Sequence, residues 1–291
     1  MREYHTYGPD KLFHYSICQS HAALYDIDYN LHKSNSTYFA DLDISRAHLA
    51  GHLLARGAQA LGENAKTKLV WDPRNPTEPA KGSFAVMLGA AHTTFKREIK
   101  PYQPYEIWTR VLSWDQKWFY MVSYFVVKGA VKPRSWDASP STSFGPTRFT
   151  QSKPADWEKS VFAVSVSKYV FKIGRLSVHP AIVMGASGLL PERPGGWVTT
   201  TSSTTTVVDT TANDKPVEKT SLVGNGTCNG AEAKNLHTCN TQEKTDQWNW
   251  QRTEAERLKG WEYAQHFAKA DELASQFDGG EGGALGRWSL G

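Results

Sequence analysis

With 291 residues, 40% hydrophobic and 21% charged, the chain is long enough for one large domain or two small ones and has the composition of a soluble globular protein. A net charge of +4 with no dense Lys/Arg block argues against nucleic-acid binding, and there is no run of about 20 apolar residues to span a membrane. Arg2, Glu3, His5, Asp10 and Lys11 break up any signal-peptide core, and three cysteines make no disulfide framework, so a reduced, cytoplasmic protein is expected. Cys228 and Cys239 stand in a low-complexity stretch where an oxidising compartment would let them pair, leaving Cys18 over.

Residues 16 to 25 read as a strand that runs into Asp28-Tyr29-Asn30-Leu31-His32-Lys33-Ser34-Asn35-Ser36-Thr37-Tyr38. Asp28, Asn30 and His32 alternate, so an extended backbone turns all three side chains to one face. A helix follows, capped by Ser34, Asn35 or Ser36, with Asp41 and Asp43 in its first turns and Phe39, Leu42, Leu49, Ala50 and Leu53 on a buried face. Its first N–H groups lack internal partners. Beside a carboxylate, an amide and an imidazole they form a set suited to acyl chemistry: a base, an orienting group and donors for an oxyanion.

Gly57 and Gly62 are expected helix terminators, and a polar connection covers residues 63 to 82. Strands are predicted at 84–99, 105–114, 118–128 and 160–173, and an irregular excursion at 130–156. Residues 195–247 collapse into Thr, Ser, Asn, Gly and Lys and read as a disordered insertion. Helical character returns over 251–277. The domain plan is therefore a domain over 1–190, the insertion at 195–247 and a helix within 248–278 packing on that domain. The economical fold is α+β, an antiparallel sheet packed on one long helix, with dimerisation expected from the sheet's uncovered edge.

No His/Cys/carboxylate spacing marks a metal site, and no cofactor is implied. Gly185–Gly188 lacks the Lys and Ser/Thr of a phosphate loop, and the Gly-x-Ser-x-Gly elbow of α/β-hydrolases is absent.

The motif from Asp26 to Phe39, the helix through Arg46, Lys96-Arg97-Glu98, and the block from Tyr105 to Tyr120 together resemble the hotdog-fold, 4-hydroxybenzoyl-CoA-thioesterase-like superfamily. The wording His32-Lys33-Ser34-Asn35-Ser36-Thr37-Tyr38-Phe39 is similar to members found in fungal biosynthetic clusters. The resemblance implies a hotdog fold, a sheet wrapped around a central helix, and a homodimer with its sites at the interface. Asp28, Asn30 and His32 match the catalytic Asp-x-Asn-x-His motif of plant carrier-protein thioesterases. Phe95-Lys96-Arg97-Glu98-Ile99 is similar to their Glu-bearing strand, which makes Glu98 a fourth catalytic candidate; Ile99 replaces the cysteine found there. Asn35, Thr37 and Tyr38 are the expected substrate-binding residues, and Asp26 the structural member of the acidic pair.

The implied activity is hydrolysis of a thioester on CoA or an acyl-carrier protein, in secondary metabolism, with a polyketide synthase as a possible partner. Two alternatives stand beside it: a polyketide cyclase that releases a lactone or pyrone by internal attack, and a non-catalytic acyl-binding protein.

Overall fold

The computed structural model describes residues 7–133, 157–198 and 248–268. The first strand, β1 (Ser16–His21), leads through a short 3₁₀ turn (Leu24–Asp26) into the long helix α1 (Asn35–Leu53). Helices α2 (Ala55–Gly62) and α3 (Asn64–Thr67) follow, and then a hairpin of β2 (Trp71–Asp72) and β3 (Asn75–Pro79). Strands β4 (Phe84–Phe95), β5 (Pro104–Trp114), β6 (Trp118–Val127), β7 (Val161–Ile173) and β8 (Leu176–Val178) precede helices α4 (Pro180–Ala186) and α5 (Trp250–Ala268). The main sheet is antiparallel throughout in the order β1-β5-β6-β7-β4, with β8 beside β7.

Alternation along β5 separates the two faces of this sheet. Tyr105 and Ile107 pack with Tyr38 and Leu42 of α1, and Val111 with Leu49 and Leu53. Leu112, one residue on, packs with Ala264 of α5 instead. The sheet is thus covered by α1 on one side and α5 on the other. Burying Leu42, Leu49 and Leu53 contributes about 1.5–3 kcal/mol each. Phe39, expected on that face, is exposed at its margin.

A row of hydroxyls runs under α1, dividing its apolar contacts into two clusters. Thr109, Ser123, Ser165 and Thr93 are cross-strand neighbours on β5, β6, β7 and β4. Ser45 of α1 joins the row at Thr109 (2.7 Å), Thr109 meets Ser123 (2.8 Å), and Thr93 donates to Ser165 (3.0 Å). Each of these hydroxyls therefore has a partner, as a buried polar group requires.

Several expected boundaries move. The first strand stops at His21, because Asp26 turns the chain by donating its N–H to Ala23 O and accepting the Ala23 N–H on its carboxylate. Helix α1 ends at Leu53, yet the chain re-enters helix at Ala55. Gly57 does not terminate it. A Cβ there would stand 2.2 Å from Val183 O, so Gly57 lets α2 lie directly against α4. The connection over 63–82 holds α3 and the β2–β3 hairpin, clamped by buried Asn64, whose side chain bonds Val70 and Ala80. Strand β4 ends at Phe95, because the N–H groups of Lys96 and Arg97 converge on a single acceptor, Phe162 O, and the ladder stops. Residues 134–156, 199–247 and 269–278 lie outside the described residues.

Candidate active site

The segment from Asp26 to Ser34 is a tight hairpin-like turn rather than an extended run. Asp26 O accepts the Ser34 N–H (2.6 Å), Ile27 and Lys33 bridge, and Asp28 N–H donates to His32 O (3.0 Å). At its tip the Asp28 carboxylate accepts the Asn30 N–H (2.9 Å), and Leu31 takes a left-handed conformation (φ 63°). Asp and Asn favour such turns because their side chains bond the backbone two residues on. The alternation of Asp28, Asn30 and His32 therefore does not put three side chains on one face. Asp28 and His32 come together through the turn, with His32 Nδ1 3.7 Å from Asp28 Oδ1 and both partly exposed. Asn30 reaches Asp28 through its backbone, and its own side chain is exposed.

The turn delivers the chain to the start of α1. Ser34 occupies the N-cap position without a side-chain capping bond; its hydroxyl meets Ser36, and its carbonyl accepts both the N–H and the hydroxyl of Thr37. The N–H groups of Asn35 and Ser36 meet no acceptor among the described residues, as the first turn of a helix leaves them. The positive end of α1 lies a few residues from the Asp28–His32 pair.

Asn35 is exposed, while Tyr38 is buried between Phe95 and Phe125, at 5.0 and 4.7 Å between ring centroids. Burial pushes the Tyr38 hydroxyl well above the usual tyrosine range. Glu98 lies beyond the end of β4 and is exposed; the Lys33 N–H bonds the carbonyl of its neighbour Ile99 (2.8 Å), which ties Glu98's loop to the base of the turn.

Sequence reasoning passed over Lys33. Its side chain is buried beneath the turn, with Nζ 2.9 Å from Asp41 Oδ2 and 3.4 Å from Asp26 Oδ2, and 5.5 Å from the ring centroids of both Tyr38 and Tyr105. The ammonium is not aligned for a hydrogen bond, so the attraction is chiefly that of charge and ring. Tyr105 completes the cluster by donating to Asp41 (2.5 Å); burial first, and that bond second, push its hydroxyl upward. Asp41, expected to complement the helix dipole, pairs instead with Lys33 and Tyr105. Among the described residues no group of three or more His, Cys, Asp or Glu side chains is placed to hold a metal, and no helix is long and apolar enough to cross a membrane.

Residues 23–161 match the model of the thioesterase-like superfamily. The chain is similar to the thioesterase poxG of Penicillium oxalicum, at 36% identity over 94% of this chain and 72% of that protein. It is also similar to the thioesterase lcsJ of Purpureocillium lilacinum, at 34% identity over 89% of this chain and 69% of that one. A solved structure, the probable thioesterase YbaW of Escherichia coli, is similar over 60% of this chain and 97% of its own at 10% identity, with a TM-score of 0.39. On the sequence matches, the chain belongs to the thioesterase-like superfamily, and the relatives named here are thioesterases.

Proposed function

We propose that this chain hydrolyses an acyl or polyketide thioester carried on CoA or an acyl-carrier protein, and that Asp28 is the catalytic carboxylate. The observation that carries the reading is the Asp28–His32 pair, 3.7 Å apart on the turn that leads into the first turn of α1. Asp28 takes a proton from water as it attacks the thioester carbonyl carbon; the C–S bond then breaks and the thiol leaves with a proton. His32 orients Asp28 or the water. The N–H groups of Asn35 and Ser36 face the oxygen on which negative charge develops. In this reading Asn30, at the turn tip, and Glu98, on the loop after β4, are further catalytic candidates, and Asn35, Thr37 and Tyr38 contact the acyl group.

The arrangement is that of a hotdog fold working as a homodimer. Among the described residues β4 pairs on one side only, with β7, and its other edge supports the dimer, because Val86, Met87, Leu88 and Phe95 are exposed along the strand. The likeness of the His32–Phe39 wording to members from fungal biosynthetic clusters motivates a role in secondary metabolism.

Product analysis with a panel of acyl-CoA and carrier-protein thioesters tests the reading. The expected product is the linear acid; a lactone or pyrone in its place overturns hydrolysis. Asp28→Asn is expected to stay folded and lose activity by about 10²-fold or more. Full activity in both Asp28→Asn and His32→Ala sinks the assignment.

A further inference from the structure

The turn that carries Asp28 has little to hold it. Leu24, Tyr25, Tyr29 and Leu31 are 62%, 101%, 92% and 73% exposed, so its largest apolar side chains contribute almost no packing. At its root the backbone is fixed by Lys33 N–H to Ile99 O and by the mutual bonds of Ala22 with Gln103 and Tyr102. Ile27 packs part of its side chain against the nearer core cluster. Inside the loop, the strongest link to the body is the Lys33 ammonium. It joins Asp26, on the strand side of the turn, to Asp41, on the second turn of α1, and lies against rings from α1 and β5.

We infer that Lys33 is a positioning residue for Asp28: it clamps the turn to α1 and neutralises Asp26, two residues from the reacting carboxylate. This rests on the reading of Asp28 proposed above. Lys33 is buried and does not touch substrate, so it acts through the turn. The same ammonium sets the charge balance of the site. The charged and titratable groups around the turn are Asp26, His32 and Lys33 on the turn itself, Asp41 on α1, Tyr105 on β5, and Arg97, Glu98 and Lys100 on the loop after β4. Without Lys33, Asp26 faces the turn as an uncompensated anion, and a nearby like charge disfavours the ionised form of Asp28.

The test compares Lys33→Met, Lys33→Arg and the double variant Lys33→Met/Asp26→Asn with the wild type, following kcat, KM and the pH dependence of kcat/KM on one thioester. Lys33→Met is expected to lower kcat with little change in KM, by about 10²-fold if the turn shifts by about 1 Å. It is also expected to move the acid limb of the profile to higher pH. The double variant keeps the Ala23 N–H bonded through the asparagine oxygen while removing the anion two residues from Asp28; Asp41 keeps the Tyr105 hydroxyl as its partner. Its acid limb returns towards the wild-type position, while its kcat stays low because the clamp is still missing. Lys33→Arg retains the charge and keeps the limb in place.

A merely structural lysine would leave the limb unmoved. A folded Lys33→Met protein with wild-type kcat and limb overturns the inference. If that variant does not fold, the double variant decides, and wild-type kcat in it overturns the clamp. Failure of the underlying reading looks different, since Asp28→Asn itself would then be fully active.

Discussion

Gly260 is where α5 comes closest to the sheet, and replacing it with alanine isolates how that helix is held. A Cβ at this position would stand 1.8 Å from Leu112 O, 2.7 Å from Leu112 C and 3.2 Å from Ser113 Cβ. The first two are backbone atoms of β5 in the sheet interior, which cannot step aside. Reaching an ordinary contact of 3.4 Å requires α5 to withdraw by about 1.6 Å along that line. Withdrawal stretches two bonds between the layers, Ser113 Oγ–H to Arg257 O at 2.9 Å and Arg257 Nη1–H to Trp114 O at 3.0 Å. It also loosens Ala264 and Trp261 from Tyr120 and Leu112.

Alanine gains about 1 kcal/mol over glycine in a helix interior. Overpacking costs about 1–3 kcal/mol, and each lost bond about 1 kcal/mol more. A net loss of about 2–4 kcal/mol follows, which in a domain of this size is a fall in Tm of about 4–16 °C. Gly51→Ala on the exposed side of α1 is the control, because its Cβ would meet nothing within 4 Å and the propensity gain stands alone. Thermal melts of the two variants should therefore move in opposite directions. Gly260→Ala melting at or above the wild type refutes the close approach of α5 to β5.

His179 caps α4 by accepting the Ala181 N–H on Nδ1, and burial holds its pKa below the ordinary 6.5. A depressed folded pKa means the contribution is present above the unfolded value and is lost as pH falls from there through the lower folded value, so α4 should loosen on acidification; His179→Ala should cost about 1 kcal/mol at neutral pH and flatten that part of a stability–pH curve. Glu254 is held below the usual carboxylate range first by its hydrogen bond from Arg257 and further by the charges of Arg257 and Arg193, against the opposing effect of burial. Its contribution is present above the ordinary glutamate value and is lost as pH falls from there through the lower folded value, a dependence that Glu254→Gln should abolish in acid melts. If β4 pairs with its copy, Leu88→Lys should shift the protein from dimer to monomer by light scattering without changing its far-UV spectrum; an unchanged mass excludes that edge.

The local signals that sequence carries best were the strands rich in aromatic and β-branched residues. Trp118–Val127 and Val161–Ile173 lie within a residue of the expected spans, because both are central in the sheet and their side chains are dictated by burial on two faces. Helices α2 and α4 were missed for a common reason. Gly57 reads as a breaker in isolation, and its value lies in the absence of a Cβ against Val183, a residue 126 positions away. Gly260 also serves close packing, inside a helix whose expected span already ran through it. Contacts between distant segments leave no periodicity to read, so glycines that serve close packing look like glycines that end elements.

The site divides along the same line. Asp28 and His32 were visible as a pair at a separation of four, and the fold brings them together, although for a different reason than alternation along a strand. Asp28 bonds the Asn30 N–H and closes a turn, so the spacing of four works as the two arms of a hairpin. Lys33 was invisible because its meaning depends on Asp41, one helical stretch later, and on Tyr105, brought in by β5 from 72 positions away. A lysine between a histidine and a serine reads as solvated surface. Burying its charge carries a desolvation cost that two carboxylates and two rings offset, and a fold retains such an arrangement only where all four partners are held in place. That requirement makes the turn at Asp28 a dependent of the sheet and the helix, so substitutions at Asp41 or Tyr105, neither of which belongs to the motif, should perturb turnover through Lys33.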